Sequence, residues 1–259
     1  MILLHAPFTI HRYAVLGSTN DQLKSMPDAP EFTCVSADEQ TAGRGRRDRS
    51  WHSVPNEGLY LSILLRPEIE ANEFPLLSFI AAIAVAETIQ PLLEKTTIDI
   101  KWPNDVLVNE RKISGVLIES ASVNQMAPRV IVGIGVNVNH QTFPPDLVQT
   151  ATSLWIESGK SFSVETFRNS LLDRIAYWYE TLRTQGGAKI LTRWQQLSSY
   201  TKGKKITAYL DQEILHGVTD GLSAIGALKI ITSAGDKREI VAGEITHLRN
   251  PDFREIDHG

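Results

Sequence analysis

The chain alternates short apolar runs with polar breaks over its first two hundred residues. Apolar and β-branched runs of about 4–8 residues, bounded by turn-forming residues, are typical of strands. We therefore predict strands at residues 32–39, 58–65 and 130–139, and a β-hairpin from residues 101–108 and 113–120, which four polar residues separate.

Helix-start signals and apolar spacing predict the helices that accompany these strands. Ser18, followed by Thr-Asn-Asp, predicts a short helix, and the nearly continuous apolar residues of 75–95 predict a mostly buried one. Ser163 precedes an apolar stripe that runs to a pair of glycines, which predicts a long amphipathic helix. A further helix is expected through Trp194. Strands and flanking helices together predict an α+β fold with a mixed β-sheet for residues 1–201.

Beyond residue 201 the pattern changes to short strands at close spacing. The runs KITAYL, EILHGVT, ALKIIT and EIVAGEI are punctuated by Gly, Asp and Ser. Such strands are typical of a small barrel. We therefore predict that residues 202–259 form a β-barrel domain of their own.

Composition and charge restrict the class of protein. The chain has 259 residues, is 42% hydrophobic and carries a formal net charge of -4, as expected of a globular protein with one sizeable core. Net acidity argues against a general nucleic-acid binder, which usually carries excess Lys and Arg. The chain does not begin with a charged-then-apolar leader, and the longest apolar run, residues 75–86, is too short to cross a bilayer. We expect a cytoplasmic protein without a membrane partner.

The single cysteine, Cys34, excludes an internal disulfide and a multi-cysteine zinc site. It lies in an apolar, strand-like run. We interpret it as a packing residue, because isolated buried thiols are usually inert.

Residues 43–51, GRGRRDRSW, form an unusual segment without periodicity. Four arginines repel one another here, and two glycines allow a close approach of the backbone. We expect an exposed loop that lacks internal charge compensation and becomes ordered on a polyanion. The loop alone fits a solvated basic loop or a nucleic-acid contact equally well.

The predicted hairpin carries polar residues where a core is expected. Residues 101–105, KWPND, place a proline and two polar side chains in an apolar run, and such inconsistencies often mark functional sites. Asp105 has the hard oxygens that Mg²⁺ prefers, and Lys112 could reach a carboxylate or phosphate. The alternative is a structural salt bridge at the end of the hairpin.

Glycines at 133 and 135 superficially suggest a dinucleotide-binding fingerprint. Position six of that pattern is Val138 and no helix pattern follows, so we reject a Rossmann fold, and the chain contains no P-loop motif. Glycines on a strand more plausibly let a flat ligand approach the backbone.

Taken together, the motifs resemble those of the biotin–protein ligase family along nearly the whole chain. The resemblance rests on five segments in order, at residues 43–51 (GRGRRDRSW), 101–105 (KWPND), 111–115 (RKISG), 133–137 (GIGVN) and 242–245 (AGEI). It implies an SH3-like C-terminal barrel and an enzyme that joins biotin and ATP into biotinyl-5′-AMP with Mg²⁺. The enzyme would then transfer biotin to a lysine of a biotin carboxyl carrier protein, such as that of acetyl-CoA carboxylase.

The resemblance also implies roles for individual residues, carried over by motif. Lys112 and Arg46 are the expected catalytic residues, and Asp105, beside Asn104, the expected magnesium contact. The expected biotin-binding residues are Ser18, Thr19, Asn20, Gln40, Gly43, Arg44, Lys112 and Gly115. The expected ATP and adenylate contacts are Arg46, Arg47, Arg49, Trp51, Lys112 and Asn137.

Two features qualify the resemblance. Asp48 stands where the family usually has glycine, and it could pair with Arg47 or Arg49 or weaken ATP binding. Only seventeen residues precede Ser18, too few for the DNA-binding domain that some members carry, so we expect a ligase that does not bind DNA. A homodimer paired through exposed strand edges stays open. The rival interpretations are a related lipoate–protein ligase or octanoyltransferase and, more remotely, a nucleic-acid-binding module.

Overall fold

Strands that are buried on both faces form the centre of a seven-stranded mixed sheet. The structure, a computed structural model, describes residues 8–47, 49–94, 96–120, 128–210, 213–241 and 244–247. The sheet order is β1-β2-β3-β7-β6-β5-β4; β1 and β2 are parallel, and every other neighbouring pair is antiparallel. The predicted mixed sheet is thus confirmed. The strands are β1 (Thr9–Leu16), β2 (Thr33–Gln40), β3 (Gly58–Leu65), β4 (Ile98–Lys101), β5 (Asp105–Val108), β6 (Arg111–Ser120) and β7 (Val130–Asn137).

The helices cover the sheet and begin where the sequence predicts. The Ser18 and Ser163 side chains accept backbone N–H bonds at the starts of α1 and α4, and Gly186 ends α4. The pattern gave no sign of α3. The helices are α1 (Thr19–Lys24), α2 (Pro75–Ile89), α3 (Leu154–Ser158), α4 (Val164–Gln185) and α5 (Gly187–Gln196), with 3₁₀ turns at Ala71–Glu73 and Gln90–Leu92.

Helix α2 is the central core helix. It packs on β6 on one side and on α4 and α5 on the other. The helical stretch Ala71–Leu92 is long and apolar enough to cross a membrane by length and composition alone, which the shorter apolar run did not suggest. However, 72% of its most apolar window is buried inside the protein. Its apolar surface is therefore used in the core.

The predicted hairpin has more turns than the sequence indicated. Residues 102–104 leave the sheet in a turn that contains the cis peptide bond Trp102–Pro103, so the first run splits into β4 and β5. Asn109 and Glu110, both at positive φ, form a two-residue turn between β5 and β6. Lys112 is the second residue of β6 and directly follows this turn, at the end of the hairpin.

The C-terminal residues form a second, five-stranded antiparallel sheet in the order β11-β10-β9-β8-β12. Its strands are β8 (Lys202–Tyr209), β9 (Ile214–Leu222), β10 (Leu228–Thr232), β11 (Lys237–Ile240) and β12 (Glu244–His247). The first two residues of the AGEI segment lie outside the described residues. The fourth predicted run, EIVAGEI, spans parts of two strands, because β11 ends at Ile240.

One hydrophobic core continues from the first sheet into the second. Ile206 and Leu228 belong to the same buried cluster as Phe79 and Trp194. Trp102, nearly fully buried, donates its indole N–H to the Gly226 carbonyl at 3.1 Å. The domain boundary at residue 201 stays a prediction. Strand β8 begins just after it, at Lys202, but the hydrophobic core continues across it.

Candidate active site

A cavity of about 820 Å³ opens between the two sheets, within the usual size range of ligand sites. The arginine-rich loop, the start of α1, the β4–β6 hairpin and the glycine strand β7 all contribute to its wall. All but one of the predicted site residues line it; Gly43 instead packs against Gln40 and Trp51. The lining residues that the sequence predicted are Ser18, Thr19, Asn20, Gln40, Arg44, Arg46, Arg47, Arg49, Trp51, Asp105, Lys112, Gly115 and Asn137.

The start of α1 is held against β2 and β3 by a polar cluster. The Thr19 backbone N–H and hydroxyl both donate to Gln40 Oε1, at 2.8 and 3.0 Å. Ser62 Oγ lies 2.7 Å from Thr19 Oγ1 and 2.5 Å from Asn20 Oδ1. Ser62 is fully buried in β3 and was missed by the sequence analysis. A serine among the aliphatic and aromatic residues of this strand was the available signal.

The glycines of β6 and β7 are required by side chains that lie directly on them. A Cβ on Gly133 would come within 2.5 Å of Asn20 Oδ1, and one on Gly115 within 3.0 Å of Trp51 Cζ3. A Cβ on Gly135 would overlap the Trp51 indole. The flat group over these strands is therefore Trp51 itself, whose Nε1 is buried without a hydrogen-bond partner.

Lys112 faces the same space and forms an ion pair. Its ammonium lies 2.8 Å from Asp105 Oδ1 and 5.5 Å from the centroid of the Trp51 ring. The pair does not have hydrogen-bond geometry, so Asp105 Oδ1 is buried without a hydrogen bond. The backbone of Lys112 is bound on both sides by residues 150 and 152. The alternative of a structural salt bridge thus describes a real contact, but one that lies inside the cavity.

Asn137 fixes the segment that holds Lys112. It is buried, and its side-chain amide donates to the Thr152 carbonyl at 2.9 Å. Thr152 in turn donates its N–H to the Lys112 carbonyl. The predicted adenylate contact of Asn137 stays a prediction beside this structural bond.

The arginine-rich loop is folded into a hairpin-like turn. Trp51 N donates to Gly43 O at 2.9 Å and Gly45 N to Arg49 O at 2.7 Å, while Arg44 and Ser50 form an isolated bridge. Asp48 lies outside the described residues. These backbone hydrogen bonds give the loop a defined turn, and its order with and without ligand stays a prediction.

The charge at the base of this loop is compensated by residues from other elements. The Arg44 guanidinium makes two bonds to the Asp21 carboxylate and lies 3.4 Å from both carboxylate oxygens of Glu119. These bonds hold the pKa of Asp21 below its ordinary value and raise that of Arg44. Arg44 is therefore compensated from outside the loop, by carboxylates of α1 and β6 that the loop's own composition does not indicate.

The second sheet and two aromatic groups complete the cavity. Tyr200, Thr207 and Tyr209 close it from the C-terminal side, and Phe143 and His52 from another. The sequence analysis singled out none of these residues, because they belong to none of the motifs and the local pattern around them gives no sign of a site. Their position depends on how the two sheets pack.

The fold and this cavity define a class of α+β proteins whose site lies between a mixed sheet and a small C-terminal sheet. Residues 13–137 match the model of the biotin/lipoate A/B protein ligase family. The bifunctional ligase/repressor BirA of Bacillus spizizenii is 37% identical over 86% of this chain and 70% of its own length. The biotin–[acetyl-CoA-carboxylase] ligase of Paracoccus denitrificans is 34% identical over 88% of this chain and 96% of its own.

Solved structures of biotin protein ligases are also similar to this chain. The biotin protein ligase of Aquifex aeolicus, solved with biotin and ATP, superposes with a TM-score of 0.81 at 30% identity, and the match covers 93% of this chain and 99% of that one. The chain belongs to the biotin/lipoate A/B protein ligase family, within its biotin–protein ligase branch.

Proposed function

We propose that the protein is a biotin–protein ligase, which converts biotin and ATP to biotinyl-5′-AMP and pyrophosphate and then biotinylates a lysine of a biotin carboxyl carrier protein. The observation that carries this function is the cavity itself. It brings Lys112, the four arginines of the loop and the Trp51 indole together around one space. Similarity to ligases of that name, and to one solved with biotin and ATP, supports the same substrates.

The first step brings two anions together. The biotin carboxylate attacks the α-phosphorus of ATP, the P–O bond to the β-phosphate breaks, and pyrophosphate leaves. Positive groups that are already in place lower the free energy of such a transition state more than that of the separate substrates. The ion pair of Lys112 with Asp105 supports this role for Lys112, since a substrate carboxylate or phosphate would compete with Asp105 for the ammonium.

We expect the arginines of the loop and Trp51 to bind the adenylate. Arg46, Arg47 and Arg49 line the cavity and suit the phosphates. The Trp51 indole lies directly on Gly115 and Gly135 and fills the space over these two strands. We infer that the indole moves as ligand enters and then covers the adenine. Exclusion of water protects the mixed anhydride from hydrolysis.

Asp105 fits a contact to Mg²⁺, although it supplies only one carboxylate. Its Oδ1 is buried and lies 2.8 Å from the Lys112 ammonium without hydrogen-bond geometry, so a bound Mg²⁺ would share this oxygen or take the place of the ammonium. Mg²⁺ commonly binds through one or two carboxylates and substrate phosphates. Within the described residues, no group of three or more His, Cys, Asp or Glu side chains gathers. When bound, the ion would neutralise phosphate charge, with ATP supplying most of its ligands.

In the second step the lysine amine of the carrier attacks the biotinyl carbonyl, and AMP leaves as the C–O bond of the anhydride breaks. No covalent enzyme intermediate is needed. The carrier must approach the cavity mouth, where the C-terminal residues Thr207 and Tyr209 contribute to the wall.

ATP–pyrophosphate exchange tests the function and separates it from the lipoate-specific relatives. Biotin should stimulate exchange strongly, whereas lipoate should not. Equal stimulation by lipoate would assign the chain to the lipoate branch of the family. A separate acyl-transfer assay without ATP, with an octanoylated carrier as donor and an unmodified carrier as acceptor, examines the transferase alternative.

A further inference from the structure

Behind the arginine-rich loop, Glu119 at the end of β6 contacts three polar groups. Its carboxylate accepts a hydrogen bond from Asn20 Nδ2 at 2.5 Å and from Lys24 Nζ at 2.7 Å. Arg44 Nη2 lies 3.4 Å from both of its oxygens. The Glu119 side chain is only 23% exposed. This carboxylate therefore joins the loop to α1 and to the sheet.

Glu119 also sets the orientation of the Asn20 amide. Because the amide nitrogen donates to Glu119, the amide oxygen faces Ser62 and lies over Gly133. Without the carboxylate, the Asn20 amide could flip or leave the glycine. The wall of the cavity on this side thus depends on a residue that does not itself line it.

Arg44 is held from two directions by this arrangement. Asp21 binds its guanidinium from α1, and Glu119 lies against it from β6. Burial alone would raise the pKa of Glu119, but hydrogen bonds from Lys24 and Asn20 hold it below its ordinary value. The group is therefore an anion at neutral pH, and charge-assisted bonds to it are stronger than neutral ones.

We propose that Glu119 is a positioning residue for ligand binding: it anchors the first arginine of the loop, Arg44, and orients Asn20 in the cavity wall. It touches neither substrate and acts through these two side chains. The inference rests on the proposed function, since its kinetic consequence is defined for biotin. Its effect belongs in biotin binding and loop order rather than in the chemical step.

The variant Glu119→Gln tests the anchor, since it keeps the size of the side chain and removes its charge. Its KM for biotin should rise about tenfold, as expected for the loss of one charge-assisted hydrogen bond, while kcat at saturating biotin stays within about twofold. In the ligand-free protein, trypsin should cut the loop several-fold faster. Glu119→Asp keeps the charge and should restore part of both effects.

Glu87 provides a matched control on the other side of the molecule. It is a similarly enclosed carboxylate on α2, 13% exposed, that accepts from Arg193 at 2.8 Å and from Trp178 at 3.0 Å. None of these residues lines the cavity. Glu87→Gln should lower the melting temperature but leave the KM for biotin and the loop cleavage rate unchanged.

The outcomes separate the inference from the proposed function. An unchanged KM and cleavage rate in Glu119→Gln, or equal changes in Glu87→Gln, would overturn the anchor. If the wild-type protein shows no biotin-stimulated exchange, the proposed function fails. The cleavage rates of the two variants still decide whether Glu119 anchors the loop, because that readout needs no substrate.

Discussion

Lys112 shows at the scale of a single residue how one charge can serve both the resting fold and the reaction. In the ligand-free protein it pairs with Asp105 and lies against the Trp51 ring. A substrate anion must replace Asp105 as its partner. The cost of breaking that ion pair is offset in both the bound state and the transition state, so the extra stabilisation of developing charge should appear in rate.

We therefore predict that Lys112→Ala reduces the rate of adenylate formation by about 100-fold or more and weakens biotin binding far less. Single-turnover formation of biotinyl-5′-AMP and equilibrium binding of biotin measure the two effects separately. Lys160→Ala, at an exposed position, is the control. Normal turnover in Lys112→Ala would leave the residue with only its salt bridge.

His140 carries a second prediction at this scale. It is fully buried and stacked on Phe143 at 5.4 Å, and burial, together with the nearby His52, lowers its pKa to about 4. The unfolded chain, with a histidine pKa of about 6.5, therefore binds more protons than the native protein between these values. The contribution of neutral His140 to the free energy of unfolding should be complete above pH 6.5 and should decrease as the pH falls toward 4.

We expect the free energy of unfolding to fall by up to about 3 kcal/mol over that window on account of His140. Urea denaturation at several pH values measures it. His140→Gln should lose stability at pH 7 but show a shallower decrease toward pH 4. Substitution of the exposed His216 by Gln should retain the wild-type slope. An identical slope in His140→Gln would assign the effect to other groups.

At the scale of elements, the arginine-rich loop combines a fixed base with a tip built for ligand. Arg44 is held by Asp21, and all four arginines of the loop line the cavity. Phosphate and an apolar ring system should therefore order the tip more than the base. Loop closure of this kind keeps a reactive intermediate away from water and from stray nucleophiles.

We predict that biotin plus ATP protects the loop from trypsin, chiefly at Arg46, Arg47 and Arg49. Arg46→Gly should still form the adenylate but release it, because a phosphate-facing guanidinium is replaced by a flexible residue. Biotin should then spread over lysines of an added bystander protein. Limited proteolysis and labelling of that bystander test this. If the variant retains the adenylate as well as the wild type does, and ligand gives no protection from trypsin, loop closure over the intermediate is refuted.

At the scale of the whole molecule, the contact between the two sheets completes the cavity. Trp102, from the KWPND segment, donates to Gly226 O, while a Cβ on Gly226 would lie 2.8 Å from Phe79 Cε2. The tryptophan of a motif expected to serve chemistry thus also joins the sheets. Because one buried core spans both, we expect a single cooperative unfolding transition.

Gly226→Ala should test this contact against a matched glycine. Gly226 and Gly235 both have positive φ, at 84° and 90°, but a Cβ on Gly235 meets nothing within 4 Å. Gly226→Ala and Gly235→Ala should both lose about 1 kcal/mol of the free energy of unfolding, because alanine disfavours positive φ. Gly226→Ala should lose about 1–3 kcal/mol more through overpacking. Calorimetry measures the difference. Equal losses of stability in the two variants would mean that Phe79 shifts to make room for the added Cβ at no cost.

Local pattern determined most of the elements of this protein. The caps at Ser18 and Ser163, the buried strand 58–65 and the change to short strands near residue 202 were all readable, because caps and apolar periodicity act over a few residues. The order and chemistry of five motifs were enough to suggest the family. Strand β1 was not readable, because its partly exposed edge lacks a clean alternation of apolar residues.

Only the tertiary structure decided how these segments meet. The pairing of Arg44 with Glu119, of Asn20 with Glu119 and of Trp102 with Gly226 joins positions 75, 99 and 124 residues apart. Trp51 came to lie on Gly115 and Gly135 because β6 and β7 are neighbours in the sheet. Such contacts depend on strand order and on the packing of two sheets. Short-range preferences of the chain do not specify that order, and so the sequence determined the parts of the site while the fold determined their partners.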